Sequence, residues 1–269
     1  MAISKASTSS VLNGFEKTKT LKGTSLRPLD TFSDGSLKHF FDFESENFSD
    51  SVGSLNLTPS GVTYSPGVNG LEKSAVILSG NGAYADTNNT LSGTAALSYS
   101  VWVYTNSISG TQSAPTRQLL LGIGNFGNLS PENKNIDLEV NCYDTVNVAP
   151  NNQGYSNEYG IHYWGNGVSF GRKVVYDQWV HLVFSYDGGG TLNSSTCRMW
   201  INGQGPFYPN RSFTSTISSS YRLCIGRRYY RDGSTPDLPM NGKVDKVRIF
   251  NKALSQSEAT ILYNNGVAI

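Results

Sequence analysis

The sequence is short of cysteine and of surplus charge, and each shortage excludes a class of protein. Its 269 residues contain three cysteines, Cys142, Cys197 and Cys224, so we expect buried free thiols rather than a disulfide framework. The formal net charge is +1, without the surplus of Lys and Arg on which nonspecific binding to phosphates depends. We therefore expect no nucleic-acid partner.

Long apolar runs are missing as well. No stretch approaches the roughly 20 apolar residues that a membrane-spanning helix needs. No apolar run follows Lys5, as one would in a secretory signal peptide. We therefore expect no membrane partner, and we expect synthesis in a reducing cytoplasm without a secretory signal.

Helical patterns are scarce, whereas strand patterns recur from His39 to the end of the chain. Short runs rich in β-branched and aromatic residues are separated by Gly, Asn, Asp and Ser; examples are HFFDFE, LSYSVWVYTN, RQLLLGIGN, NIDLEVNCYD, YGIHYW, QWVHLVFSYDG and CRMWINGQ. The pair Asn202-Gly203 in CRMWINGQ is typical of a hairpin turn. The pattern predicts an all-β fold, a two-sheet antiparallel sandwich.

The last strand pattern, over residues 243–250, alternates between two faces. This alternation predicts that Asp245 shares a face with Val247 and Ile249, while the intervening residues point the other way. A carboxylate on a core face needs an explanation, because a buried charge must be paired or hydrogen-bonded.

One short helix is predicted directly after this strand. Ser255 and Glu258 have the spacing of a capping box, in which each residue binds the backbone N–H of the other. We expect Ala259, Leu262 and Tyr263 to pack the helix onto the sandwich.

Residues 1–38 differ in composition from the rest of the chain. They are rich in Ser, Thr and Lys, and their few apolar residues follow no sustained period. Such a segment cannot build a core of its own. We predict an extended N-terminal arm over residues 1–38 that gains order by docking on a partner, with Phe15, Leu21 and Leu26 as contacts, and a folded domain over residues 39–269.

Four segments carry a resemblance to a known family. LSYSVWVYTN, DQWVHLVFSYDG, CRMWINGQ and MNGKVDKVRIFNKALSQSEATILYNNG, in this order and spacing, resemble the laminin-G-like domains of the concanavalin A-like lectin/glucanase superfamily. Val244 and Phe250 replace an Ile and a Tyr that the family usually has in its last strand. The resemblance implies a jelly-roll sandwich over residues 39–269 with a short closing helix, a fold used mostly for binding.

The same superfamily contains β-glucanases, whose Glu-Ile-Asp-x-Glu strand carries the nucleophile and the acid/base of retaining hydrolysis. The nearest string in this chain is NIDLE at residues 135–139, in which Asn135 replaces the nucleophile. An amide cannot form the glycosyl ester, so we predict that the chain is not an enzyme. Three histidines, His39, His162 and His181, lie in apparent strands without neighbours at ligand spacing, and we expect them to be structural.

Asp245 has two interpretations. It can be a buried acceptor for backbone N–H groups of a neighbouring loop. The resemblance implies a second one, because related domains often bind a structural calcium ion through an Asp at this place. Asp50, in the first loop, is then the expected second ligand, and oxygen ligands from separate loops suit calcium.

Aromatic residues suggest where a glycan could bind. Tyr159, Tyr163 and Trp164 cluster between two glycines, and Tyr229 with Tyr230 lies in a polar loop. The alternative is that these rings pack against strands, as most aromatic residues of a sandwich do.

The arm and the sandwich together are similar to virion structural proteins of tailed bacteriophages. This resemblance implies a non-enzymatic capsid decoration or a tail- or fibre-associated protein, located in the virion and oligomeric there. Its arm would bind other virion proteins, and its sandwich would be displayed toward host-surface glycans. The alternative function is a free-standing carbohydrate-binding module.

Overall fold

Strands dominate the chain. The computed structural model describes residues 31–88, 94–107, 117–124, 135–140, 157–163, 166–214, 220–229 and 236–265, which form strands β1 to β19 and one α-helix, α1. The predicted all-β, two-sheet antiparallel sandwich with a short C-terminal helix is confirmed.

Eight strands form the first sheet. Its path runs β14, β13, β11, β6, β19, β4 and β3, and β1 pairs with β19 as well. These strands are β1 (Leu37–Phe41), β3 (Thr63–Ser65), β4 (Ala75–Ser79), β6 (Leu97–Thr105), β11 (Trp179–Tyr186), β13 (Cys197–Ile201), β14 (Gln204–Phe207) and β19 (Asn241–Phe250).

Seven strands form the second sheet, in the order β10, β9, β8, β7, β16, β5 and β2. They are β2 (Thr58–Ser60), β5 (Gly82–Asn88), β7 (Gln118–Gly124), β8 (Asn135–Val140), β9 (Glu158–Tyr163), β10 (Asn166–Lys173) and β16 (Ser220–Ile225). Two short antiparallel ladders join β12 (Thr191–Leu192) to β15 (Phe213–Thr214) and β17 (Arg228–Tyr229) to β18 (Pro236–Asp237).

The main core lies between the inner faces of the two sheets. Each strand sends every second side chain inward, where it is removed from water. The first sheet contributes such residues as Tyr99, Val101 and Val103, and the second contributes Ile136, Leu138, Ile161 and Leu223, all of them at most 1% exposed. This packing fixes which residues face outward on each sheet.

Helix α1 (Gln256–Asn264) covers part of the outer face of the first sheet. The Ser255 hydroxyl accepts the backbone N–H of Glu258 at 3.3 Å, and the Glu258 carboxylate accepts the backbone N–H of Ser255 at 2.8 Å, so the predicted capping box is confirmed. Ala259 and Leu262 are buried against this face, and Tyr263 stacks on Trp102 with ring centroids 5.6 Å apart. The predicted packing residues of the helix are therefore confirmed.

The predicted hairpin turn at Asn202-Gly203 is also confirmed. Both residues have positive φ, 50° and 72°, which suits the tight turn that joins β13 to β14. Gly203 also leaves space for Tyr263, because a Cβ at this position would lie 3.3 Å from the Tyr263 ring. The turn thus helps to seat the helix.

The face predicted for Asp245 is wrong, because β19 contains a β-bulge. Lys246 has a φ of 49°, and the register with β6 shifts between Asp245 and Arg248. The extra residue reverses the alternation. Val244 therefore joins Val247 in the core, while Asp245 lies opposite Trp102 on the outer face.

The body of the sandwich begins a few residues before the boundary predicted at residue 38. Strand β1 starts at Leu37, and the Phe32 ring lies 5.5 Å from the Phe250 ring. Phe15, Leu21 and Leu26 lie outside the described residues. Within the described part of the chain, the helix is too short and too polar to span a membrane.

Candidate functional site

The outer face of the second sheet carries polar side chains at its centre. On β8, Ile136, Leu138 and Val140 lie in the core. The residues that alternate with them point outward, and they are Asn135, Asp137 and Glu139. Each is at most 3% exposed, so this face combines polar chemistry with burial.

The strand register places other residues beside Asp137 in one row. Asp137 is opposite His162 on β9 and opposite Gly122 on β7. The row continues through Cys224 on β16 to Tyr84 on β5. Five neighbouring strands therefore build one row of the outer face.

Glu139 is held by Arg117, the residue before β7. Arg117 Nε donates to Oε2 at 2.9 Å and Arg117 Nη2 donates to Oε1 at 2.6 Å. Paired hydrogen bonds between a guanidinium and a carboxylate are strong and fix the geometry of both groups. The buried charge of Glu139 is therefore compensated.

Asp137 is held through one of its two oxygens. Asn135 Nδ2 donates to Oδ2 at 2.8 Å, and Arg228 Nη1 lies 3.7 Å from the same oxygen. Oδ1 has no hydrogen-bond partner among the residues that the structure describes. Burial raises the pKa of Asp137 to about 7, although Arg228 opposes the shift.

His162 lies beside both carboxylates. Its Nδ1 is 3.8 Å from Glu139 Oε1, too far for a hydrogen bond, and it has no partner within the described ranges. Burial lowers the pKa of His162 well below its usual value, and Arg117 and Arg228 add to the effect. The imidazole is therefore neutral at physiological pH.

An aromatic pair adjoins these polar residues. The rings of Tyr84 and Tyr229 lie 4.9 Å apart, and the Arg222 guanidinium lies 4.4 Å from the centre of the Tyr84 ring. Tyr229 belongs to the β17–β18 hairpin and packs on Leu119 and Cys224.

Two groups of residues lie on this face. The polar cluster consists of Arg117, Asn135, Asp137, Glu139, His162 and Arg228. The aromatic pair consists of Tyr84 and Tyr229.

Comparison with known proteins identifies the family. Residues 79–260 match the laminin G family described as the concanavalin A-like lectin/glucanases superfamily. The chain belongs to this superfamily. The resemblance found in the sequence is thereby confirmed for the sandwich, whereas no curated protein matches the chain.

Solved structures share the fold at low identity. Domain 4 of AbnA, a GH43 extracellular arabinanase from Geobacillus stearothermophilus, in complex with arabinotriose, is 20% identical with a TM-score of 0.57, covering 85% of this chain and 98% of that one. The botulinum neurotoxin serotype D ligand binding domain in complex with N-acetylneuraminic acid is 13% identical (TM-score 0.52; 86% and 51% covered). A Trypanosoma rangeli sialidase is 15% identical (TM-score 0.53; 85% and 32% covered). At these identities the likeness shows the fold alone.

The laminin-G-like sandwich brings only part of the predicted aromatic set to this face. Tyr159 is fully buried in the core, where its hydroxyl accepts the backbone N–H of Val175 at 3.1 Å, so the prediction that it binds a glycan is wrong. Tyr229 does lie on the outer face. The side chain of Tyr163, and Trp164 and Tyr230 entirely, lie outside the described residues.

Asp50 does not fit a calcium site. Its Oδ1 accepts the backbone N–H groups of Phe40, Val52 and Gly53, and its Oδ2 accepts that of Leu55 and contacts His39 Nδ1 at 2.7 Å. Donors around a carboxylate present positive hydrogen atoms where a cation would have to lie. In this structure Asp50 organises its own loop.

Asp245 matches the other interpretation from the sequence, that of a buried acceptor. Its Oδ2 accepts the backbone N–H of Val68 at 3.0 Å, while its Oδ1 has no hydrogen-bond partner in the part of the chain that the structure describes. Burial raises the pKa of Asp245 to about 6, although Lys246 and Arg248 favour the ionised form.

The pKa of Asp245 predicts how stability depends on pH. The folded value of about 6 exceeds the unfolded value of 3.8, so this group destabilises the fold increasingly as pH rises from about 4 through 6. We expect the free energy of unfolding of Asp245→Asn, measured relative to that of wild type, to be about 2 kcal/mol higher at pH 7.5 than at pH 4.5. Urea denaturation at both pH values measures this difference.

The control is Glu72→Gln, which changes an exposed carboxylate and should follow the wild type. Adding calcium should leave the melting temperature of wild type unchanged. A rise in melting temperature with calcium that Asp245→Asn abolishes would show instead that Asp245 binds calcium.

Proposed function

We propose that the sandwich is a non-enzymatic glycan-binding domain whose ligand lies on the outer face of the second sheet. The observation that carries this proposal is the position of Tyr84 in the same row as Asp137 and His162. A sugar ring has an apolar C–H face and a rim of hydroxyl groups. The aromatic pair suits the first, and the polar cluster suits the second.

Unused hydrogen-bonding capacity supports this location. Asp137 Oδ1, His162 Nδ1 and the Tyr229 hydroxyl are all buried without a hydrogen-bond partner among the described residues. Buried polar groups are normally satisfied, and unsatisfied ones often mark functional positions. Sugar hydroxyls both donate and accept hydrogen bonds, so they can satisfy all three groups. Membership of a superfamily that contains lectins is in keeping with the proposal. So are the structures of similar fold that were solved with arabinotriose and with N-acetylneuraminic acid.

The same geometry opposes glycoside hydrolysis. Asn135 cannot act as a nucleophile, and its amide donates to Asp137. Both oxygens of Glu139 are bound by Arg117, which favours the ionised carboxylate over the protonated acid that leaving-group protonation requires. The polar cluster is therefore suited to binding rather than to cleavage.

Loss of one aromatic ring tests the binding face. The wild-type protein is first screened on a glycan array, and the glycan that it binds best is used as the ligand. We expect Tyr84→Ala to bind this glycan at least tenfold more weakly, because the sugar loses its stacking surface. Tyr208→Ala is the matched control, since Tyr208 is 50% exposed and lies outside this face. Isothermal titration calorimetry measures both. Equal loss in the two variants, or in neither, would contradict the proposed location.

Catalysis is tested with polysaccharides of the glucanase class. We expect the purified protein to release no reducing sugar from laminarin, lichenan, agar or carrageenan, because the nucleophile position is an amide. Glu139→Gln provides the control for contaminating activity. Reproducible release that disappears in Glu139→Gln would show that the chain is an enzyme.

We also propose that the arm anchors the protein in a phage virion, as a capsid decoration or a tail- or fibre-associated component. Residues 1–30 of the arm carry a small excess of positive charge, with Lys5, Lys17, Lys19, Lys22 and Arg27 against Glu16 and Asp30. A mildly basic segment suits an acidic protein surface. Ordering it costs about 1 kcal/mol per residue in backbone entropy, which only an extensive interface can offset. Oligomerisation within the virion is part of this proposal.

Deleting the arm distinguishes the two proposed functions, a virion protein and a free-standing carbohydrate-binding module. The deletion should end at residue 30, because Phe32 packs on Phe250 and β1 begins at Leu37. We expect the shortened protein to keep its melting temperature within about 2 °C and to lose incorporation into particles. Replacing Phe15, Leu21 and Leu26 with Ser should have the same effect. Normal occupancy of the deleted protein in particles would exclude the arm as the anchor.

A further inference from the structure

Three side chains of the polar cluster converge on one point. Asp137, Glu139 and His162 each offer one ligand atom, and these atoms all lie within 4.8 Å of one another. The convergence follows from the fold, because Asp137 and Glu139 are two residues apart on β8 and His162 is opposite Asp137 on β9. All three side chains are at most 4% exposed.

Two of these ligand atoms are available. Asp137 Oδ1 and His162 Nδ1 have no hydrogen-bond partner within the described part of the chain. The other contacts resemble the outer shell of a metal site, where hydrogen bonds orient the ligands. Asn135 donates to the second oxygen of Asp137, and Arg117 donates to both oxygens of Glu139.

Gly122 packs closely beside Asp137 Oδ1. A Cβ at Gly122 would lie 2.6 Å from Asp137 Oδ1, a distance that real Cβ atoms essentially never show. The only residue that fits opposite this oxygen without displacing it therefore has no side chain. The same Cβ would also lie 3.1 Å from Leu119 Cδ1, so a side chain at this position would crowd the ligands.

The chemistry of the ligands selects the class of ion. One imidazole and two carboxylates suit zinc and its neighbours among the divalent transition metals, whereas calcium and magnesium prefer oxygen alone. The nearby guanidinium groups of Arg117 and Arg228 oppose every divalent cation alike, so the preference for zinc rests on the imidazole of His162.

We propose that, when no sugar is bound, Asp137, Glu139 and His162 bind one divalent transition-metal ion, best matched by zinc, on the outer face of the second sheet. The ion and the sugar then compete for Asp137 Oδ1 and His162 Nδ1.

The test uses the full-length, tag-free protein after dialysis against chelator. Zinc, manganese and calcium chloride are added separately, and bound metal is measured by equilibrium dialysis with elemental analysis. We expect one equivalent of zinc per chain and, at a hundredfold excess over Kd, a rise in melting temperature on the order of 5 °C. Calcium should bind at least a hundredfold more weakly.

Variants locate the ion. His162→Phe should lose zinc binding, and Gly122→Ala should weaken it at least tenfold although every ligand is retained. His181→Phe is the matched control, because His181 is equally buried but lies on the first sheet beside Ser100. It should bind zinc like wild type.

A measurement on wild-type protein with cobalt does not depend on whether the variants fold. Substitution of cobalt into wild type should give visible absorption bands typical of mixed nitrogen and oxygen ligands. The proposal is overturned by wild-type protein that binds less than about 0.2 equivalents of zinc. It is equally overturned by zinc binding that His162→Phe retains, or by tighter binding of calcium than of zinc.

Discussion

The two-residue period of a paired strand is the constraint on which the rest of this structure depends. On β8, the side chains of Ile136, Leu138 and Val140 lie in the core. The alternating residues Asn135, Asp137 and Glu139 must therefore face outward. The same rule acts on β9, β7, β16 and β5, whose registers bring their outward residues into one row. Burial of the inner faces therefore places the polar cluster and the aromatic pair side by side.

Stability alone does not account for the polar cluster. Buried ion pairs contribute little net stability, because removing two charges from water costs about as much as their attraction returns. The pairing of Arg117 with Glu139 limits this cost, yet Asp137 remains a carboxyl group whose pKa is raised by burial. An apolar outer face beneath the β17–β18 hairpin would be simpler to stabilise. A role in binding is the more direct reason for such residues.

Much of the fold could be predicted from the sequence, because its signals are local. Strand alternation, the Asn202-Gly203 turn and the capping box at Ser255 each lie within a few residues. The bulge in β19 could not be predicted, since a lysine with positive φ leaves no sequence pattern. Alternation within EYGIHY could have shown that Tyr159 shares a face with the core residue Ile161 rather than with His162.

The site was less predictable than the fold, because its contacts join distant strands. NIDLE shows that Asp137 and Glu139 share a face, but nothing in the sequence pairs them with His162, Arg117 or Arg228. Pairing of β8 with β7 and β9 depends on long-range register, which sequence patterns alone do not give. Asp50 was expected to be a metal ligand from the family resemblance and its place in the first loop, although the backbone of that loop occupies both of its oxygens.

The central claim is that the ligand lies on the outer face of the second sheet. A crystal structure of the protein with the oligosaccharide selected on an array tests it most directly. The account predicts a sugar ring against Tyr84 and Tyr229, with hydroxyl groups within hydrogen-bond distance of Asp137 or His162. A sugar bound to the first sheet, or to loops away from this row, would contradict the account.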